Sequence, residues 1–166
     1  MPGQQGNTDI FMNIVGTHSG KIKGESQDAK HKGEIDVETY SYALTQPTAK
    51  HSGGLASGKR EHGPFIVTFK TQTATVQLFG CAFNGEHLKE VTIVCRKAGK
   101  EQQEYLKFVL NTAIIAKMET FYLHDDLVPR DRVTFEFRKI KVEYKEQKPD
   151  GTLGGAFLAE DQLGNG

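Results

Sequence analysis

Residues 53–60, GGLASGKR, come closest to a chemical motif, because they match G-x-x-x-x-G-K, the glycine-rich turn that wraps phosphate. Such a loop needs Ser or Thr after the lysine to hold Mg²⁺, and Arg60 stands there instead. It also needs an apolar strand before it and a helix N-terminus after it, whose amides cradle the phosphate. Here TQPTAKHS precedes the glycines and EHGPFIVTF, a strand pattern, follows them. The match is a coincidence of glycine content, and the segment reads as a contact loop. The histidines, His18, His31, His51, His62, His87 and His124, show no i, i+2 or i, i+4 pairing with one another. His124-Asp125-Asp126 offers metal-ligand atoms, but an acidic turn is more simply solvated. Cys81 and Cys95 lack C-x₂-C spacing and read as small buried hydrophobes. No G-x-S-x-G or H-E-x-x-H appears. The sequence therefore predicts no enzyme, no metal site and no cofactor.

The elements that must position these residues are mostly strands. In residues 132–146, RVTFEFRKIKVEYKE, Val133, Phe135 and Phe137 alternate with polar residues, and so do Ile140, Val142 and Tyr144. The phase shifts by one at Arg138–Lys139, the mark of a β-bulge and a bend. Residues 34–46 repeat that pattern: Ile35 and Val37 alternate, then Tyr40, Tyr42 and Leu44, with Thr39, Ser41, Ala43 and Thr45 as a small, polar opposite face. Residues 9–15 carry Ile10, Met12 and Ile14 on one face and Phe11 and Val15 on the other, a strand buried on both sides. Phe65, Val67 and Phe69 predict another strand, and Val91, Ile93 and Cys95 one more. Residues 73–84 predict a helix with Thr73 as N-cap, Val76, Phe79 and Phe83 as its apolar stripe, and Asn84–Gly85 as its stop. Residues 105–121 fit both a strand and a helix. As a strand, one face carries Leu106, Phe108, Leu110, Ile114 and Met118, and the other Val109, Ala113 and Ile115. That second apolar face is a surplus in a small barrel and needs a partner, so Val109, Ala113 and Ile115 are the candidate subunit interface. Pro149-Asp150-Gly151 predicts a tight turn, then a short returning strand with Leu153, Ala156, Phe157 and Leu158.

The bulk numbers suit one domain spanning residues 1–166, with 1–8 and 159–166 expected as flexible termini. Lys+Arg and Asp+Glu are both 21, so no net charge draws the chain to nucleic acid or an anionic membrane. Lys21, Lys23, Lys30 and Lys32 are diluted by Glu25, Asp28 and Glu34. The N-terminal residues lack a basic segment followed by a long apolar run, and no stretch approaches the ~20 apolar residues of a membrane span, so a cytoplasmic chain without a Sec-type signal is expected.

Residues 22–47, IKGESQDAKHKGEIDVETYSYALTQP, resemble the opening signature of the haemolysin-coregulated proteins (Hcp), tube subunits of bacterial type VI secretion systems. The resemblance continues through FKTQTATVQLFGCAFNGEHLKEVTIVCRKAG, EYLKFVLNTAIIAKM and VTFEFRKIKVEYKEQKPDGTLGGA. The combination of G-E-S-x-D-x-x-H with I-D-V is its most specific part. The chain departs from the family in having no Trp, with Tyr40 and Tyr42 on the strand that often carries it. At the start of the helix, Gln72-Thr73-Ala74-Thr75 also lacks the family's acid and proline.

The resemblance implies a mainly β fold, a two-sheet β-barrel with one flanking α-helix, assembling into a hexameric ring, and it favours strand for residues 105–118. It implies a homohexamer whose rings stack, with contractile sheath and spike proteins and small effector proteins as partners, and secretion through the type VI system. No nucleic acid and no membrane insertion are expected. Residues 47–63, almost without apolar content, become the candidate ring-stacking loop, with Lys50, His51, Leu55, Ser57, Lys59 and Arg60 as contacts. Thr39, Ser41 and Thr45 become candidates for a cargo-facing lumen wall. A toxin domain fused behind the barrel is not expected, since the chain stops about where the fold does. The competing reading is a monomeric small β-barrel that binds a ligand or carries an enzyme site.

Overall fold

The computed structural model describes residues 7–47, 59–98 and 102–163. Its elements are β1 (Thr8–Gly16), β2 (Gly20–Lys21), β3 (Ile35–Val37), β4 (Thr39–Ser41), β5 (Leu44–Thr45), β6 (Glu61–His62), β7 (Phe65–Lys70), α1 (Thr73–Asn84), β8 (Leu88–Lys97), β9 (Glu104–Phe121), β10 (Arg130–Gln147) and β11 (Leu153–Gln162). The strands form a nine-stranded sheet and a two-stranded ladder, β5–β6. Residues 105–121, compatible with helix or strand by pattern, are strand. The mainly β class with one helix is what the structure shows.

The expected single strand over 34–46 is instead three short ones. β3 pairs with β1, β4 pairs with β7, and β5 pairs with β6. The phase step in the sequence marks the change of partner. At Glu38, whose N–H donates to the Thr68 carbonyl at 2.8 Å, the chain leaves β1 for β7. That crossing closes the order β1-β8-β9-β10-β7-β4 into a barrel through the β3–β4 segment.

The phase step in β10 is real, but a residue inserted in β10 alone is not its cause. Inward residues run Val133, Phe135, Phe137, then Ile140 and Val142. β9 makes the same skip between Ala113 and Leu110, and β8 between Leu88 and Val91. These skips lie in one row, since Phe137 pairs with Ala113 and Ala113 with Leu88, while Ile140 pairs with Leu110 and Leu110 with Val91. Register is therefore kept while three strands crease together. Thr112 sits in the crease at φ 50°, a left-handed conformation that a β-branched residue rarely adopts. The interior is filled by Phe65, Phe69, Phe135, Met12, Ile93 and Leu110, all fully buried, and each contributes about 1.5–3 kcal/mol of apolar burial.

Helix α1 turns the other way round from the expectation. It buries Ala74, Thr75, Leu78 and Cys81, while Val76 and Phe83 are 76% and 82% exposed. Both stripes have helical spacing, so periodicity alone cannot choose between them. The choice is made by Asp131, fully buried, whose carboxylate accepts from the hydroxyls of Thr71 and Thr75. Gln72, not Thr73, is the N-cap, and its N–H donates to Thr75 Oγ1 at 2.9 Å. The acid absent from this stretch of chain arrives from a loop: Glu25 Oε2 accepts from Thr73 N–H at 2.5 Å and Thr73 Oγ1 at 3.0 Å, a charge well placed at a helix start. Gly85, at φ 64°, ends the helix.

Residues 22–34 fold back over the outer face of β1 and β8. Gly24 N–H donates to the Gly33 carbonyl at 2.8 Å, and Ser26 N–H to the Glu34 carbonyl at 3.0 Å. A Cβ at Gly24 would stand 2.3 Å from the Glu34 carbonyl oxygen. Gly24→Ala is therefore expected to cost about 1–3 kcal/mol through backbone displacement. An unchanged urea midpoint in that variant would show that the loop is not held this closely.

The Pro149–Gly151 turn forms as expected, with Asp150 Oδ1 accepting from Thr152 N–H at 2.9 Å. The strand after it runs further than expected. Residues 159–162, expected as tail, continue β11, with Ala159 pairing with Val142 and Gln162 with Lys139.

Candidate functional site

The most specific motif in the sequence, Gly24-Glu25-Ser26-x-Asp28-x-x-His31, is a structural knot rather than a reactive centre. Asp28 accepts two bonds from Arg96, at 2.9 and 2.9 Å, and Asp9 accepts a third at 3.1 Å. The Arg96 guanidinium lies 4.7 Å from the Phe11 ring centre, and His31 stacks on that ring at 4.2 Å. His31 also meets Glu34 at 3.1 Å and Glu104 at 2.6 Å. The Arg96 hydrogen bonds hold the Asp28 carboxyl down at about 2. Each reactive group is thus consumed by a neighbour on another element. Burial pushes the Cys95 thiol up to about 11, so thiolate is scarce at neutral pH. Among the described residues no cluster of His, Cys, Asp or Glu could hold a metal ion, and no helix is long and apolar enough to cross a membrane.

The surfaces carry more information. Thr39 and Ser41 are exposed on β4, side by side with the outward residues of β7. Pairing extends this wall as the rows Thr39, Thr68, Arg132, Glu119 and Ser41, Ile66, Thr134, Lys117. Apart from Ile66 it is polar, with two cations to one anion: Glu119 faces both Lys117 at 3.4 Å and Arg132 at 3.5 Å. Thr45 is exposed too, but it belongs to the separate β5–β6 ladder and does not join this wall.

Of the candidate stacking residues, Lys50, His51, Leu55 and Ser57 lie outside the described residues. Lys59 is exposed, and Arg60 is tied to Asp161 on β11 at 2.5 Å. His62 Nε2 meets the same carboxylate at 2.6 Å while its Nδ1 meets Tyr42 Oη at 2.5 Å. Hydrogen bonds from Arg60 and then His62 hold the Asp161 carboxyl far below the usual range. Asp161 was illegible in the sequence, being about a hundred residues from both partners. It fastens the foot of the 48–58 segment to the barrel.

The interface candidates need correction. The crease at Thr112 moves the alternation by one, so Ala113 is fully buried and Ile115 packs on the core. Val109 alone of the three stays on the outer face, with Ile114 exposed nearby. The larger surplus lies on β11, which among the described residues pairs only with β10. Its Phe157 and Leu158 are 65% and 59% exposed on opposite faces, beside Tyr144. A ten-residue edge with unpaired amides and apolar residues on both faces invites another chain.

A creased, closed barrel with one helix and an unpaired apolar edge defines a protein built to assemble. Residues 11–144 match the family described as "Type VI secretion system effector, Hcp", and the chain belongs to that family. The chain is 32% identical over 149 residues to protein hcp1 of Pseudomonas aeruginosa, covering 89% of each. Its fold is similar to that of Hcp1 from Salmonella typhimurium, with 29% identity, a TM-score of 0.73, and 93% and 94% of the two chains covered. It is also similar to a type VI secretion system effector from Yersinia pestis, with 27% identity, a TM-score of 0.74, and coverage of 93% and 100%. The family resemblance read from the sequence is borne out.

Proposed function

We propose that this chain is the structural subunit of a type VI secretion inner tube. Six copies close into a ring, and rings stack beneath a spike. The stack is expelled from the cytoplasm when a surrounding sheath contracts, and the lumen carries small effector proteins. The role is structural rather than enzymatic. The observation that carries this reading is the unpaired β11 edge with Phe157 and Leu158 exposed on its two faces. A neighbouring copy would cover that edge, and cyclic closure satisfies all six at once. The filled interior, with Phe65, Phe69 and Phe135 fully buried, speaks against a barrel that stores a ligand.

Light scattering and negative-stain imaging of the purified chain test the ring. About six chain masses with annular particles is the expected result, and one chain mass overturns it. The wall of Thr39 and Ser41 is the proposed lumen surface. Ser41→Arg should abolish protection of a co-expressed small effector while rings form normally. Undiminished effector protection in that variant removes β4 from the lumen.

A further inference from the structure

We propose that His31 is a proton-operated latch, which ties residues 22–34 to the start of β9 while its ring carries two protons and lets go when one is lost. Both ring nitrogens are engaged. Nδ1 lies 3.1 Å from each carboxylate oxygen of Glu34, and Nε2 lies 2.6 Å from Glu104 Oε1. An ionised carboxylate only accepts, and a neutral imidazole has one N–H to donate. The closed arrangement therefore needs the imidazolium. A ring that gives up its second proton turns a lone pair towards one of the two carboxylates, and that contact opens. Histidine is the side chain that ordinarily changes charge near neutral pH. This one is 7% exposed and stacks on Phe11 at 4.2 Å, with 8° between the planes, so it cannot swing away without lifting the segment that carries it.

Charged groups reach this site from every neighbouring element. Asp9 of β1 and Asp28 of the segment are spent on Arg96 of β8. Asp36 of β3 pairs with Phe11 in the ladder, and burial, with Asp28 and Asp9 close by, pushes its carboxyl up. Lys30 and Lys32, beside His31 in the chain, are exposed. Glu34 and Glu104 are the carboxylates that pair with His31 itself. Of these two contacts, the one to Glu104 yields. The Glu34 side chain is 17% exposed and sits three residues from His31, whereas that of Glu104 is 44% exposed and passes its charge to water at little cost. The Glu104 contact is also the one that leaves the segment, joining groups 73 residues apart. Its loss opens that edge of the cover over Phe11 and Arg96, each 3% exposed. The latch is thus closed on the acidic side of the histidine range and opens as pH rises through it. Asp28, held at about 2 by its hydrogen bonds from Arg96, stays ionised throughout, so the Arg96 anchor persists and the opening is local. All these contacts lie within one chain, and the latch operates whether or not rings form.

Hydrogen exchange of the full-length chain, read by mass spectrometry and corrected for the intrinsic rate at each pH, tests the latch. Protection of residues 22–34 is expected to fall about tenfold between about pH 6 and about pH 8.5, while residues 132–140 of β10 change less than about twofold. Glu104→Gln should abolish that fall and leave the segment closed, because an amide accepts from an N–H or donates to a lone pair equally well. Glu104→Ala should show the open level of protection at both pH values. Equal protection at the two pH values in the unaltered chain overturns the latch. So does a fall that survives in Glu104→Gln, since another group must then titrate, and one that vanishes in Glu34→Gln instead places the release inside the segment. A Glu104→Ala chain as protected as the unaltered one overturns it too. None of these results bears on the tube reading, which rests on the mass of the particle.

Discussion

Arg96→Met is expected to destabilise the chain by about 3 kcal/mol, the cost of stripping a buried charge cluster of its cation. Arg96 is 3% exposed on the outer face of β8. Methionine preserves much of the volume, so a cavity is not the main cause. The cause is that Asp28 and Asp9, which share the guanidinium at 2.9 and 3.1 Å, are left facing each other. Phe11 loses the cation above its ring, and residues 22–34 lose their anchor on the barrel. The pH dependence carries the same signature. Asp28 titrates at about 2 in the folded chain and near 4 when unfolded. The pair's contribution is therefore fully present above pH ~4 and is lost as pH falls through about 2. In Arg96→Met that acid limb should flatten, because Asp28 no longer has a depressed value to lose. Urea unfolding at pH 7 and pH 3 checks both. A loss below about 1 kcal/mol at pH 7 would mean that the cluster is solvated and dispensable.

How much of this was legible in the sequence depends on whether the deciding contact is local. Alternation placed β1, β7, β8 and β10 because each strand's inward face is written every second residue. The phase step at Arg138–Lys139 was visible too, but its meaning was not. A single strand cannot show that β8 and β9 step at the same row, so a crease of the sheet looked like a bulge in one strand. That misreading had a consequence at Ala113 and Ile115, which moved from surface to core once Thr112 took a left-handed turn. The helix shows the same limit. Val76, Phe79 and Phe83 are the larger apolar residues, yet the small ones, Ala74 and Cys81, let α1 approach the barrel closely. Asp131, beyond the helix by some fifty residues, makes the decision.

The signature motif was recognisable as a family mark long before its physical purpose was. Glu25 caps α1, Asp28 neutralises Arg96, and His31 covers Phe11. None of these partners lies near the motif in the chain, so spacing alone could not have assigned the roles. The two faces of β1 follow from the same fact. One face joins the barrel interior, and the other joins the small polar core beneath residues 22–34. The subunit thus spends its apolar and charged groups internally over most of its surface. Besides Leu44, Ile114 and Tyr144, the large apolar side chains left exposed among the described residues lie on α1, the β9–β10 tip and β11.

Of those three, β11 carries the second large prediction. Replacing Phe157 and Leu158 together by Glu is expected to take the particle from about six chain masses to one. The substituted side chains are 65% and 59% exposed in the single chain, so its own stability should change by no more than about 0.5 kcal/mol. A stable ring needs junctions upward of about 2,000 Å², and charge placed on both faces of the edge strand at once opposes any neighbour that pairs there. The alternative is that ring closure uses the Val109 and Ile114 side of β9 instead. In that case the double variant still scatters as six chains, and Val109→Asp with Ile114→Asp produces the monomer. If the β11 edge of one copy packs on the Val109 and Ile114 face of the next, both double variants give the monomer, because a ring contact joins two different surfaces and these lie on opposite sides of β10. Light scattering on the two double variants therefore decides which of these surfaces close the ring.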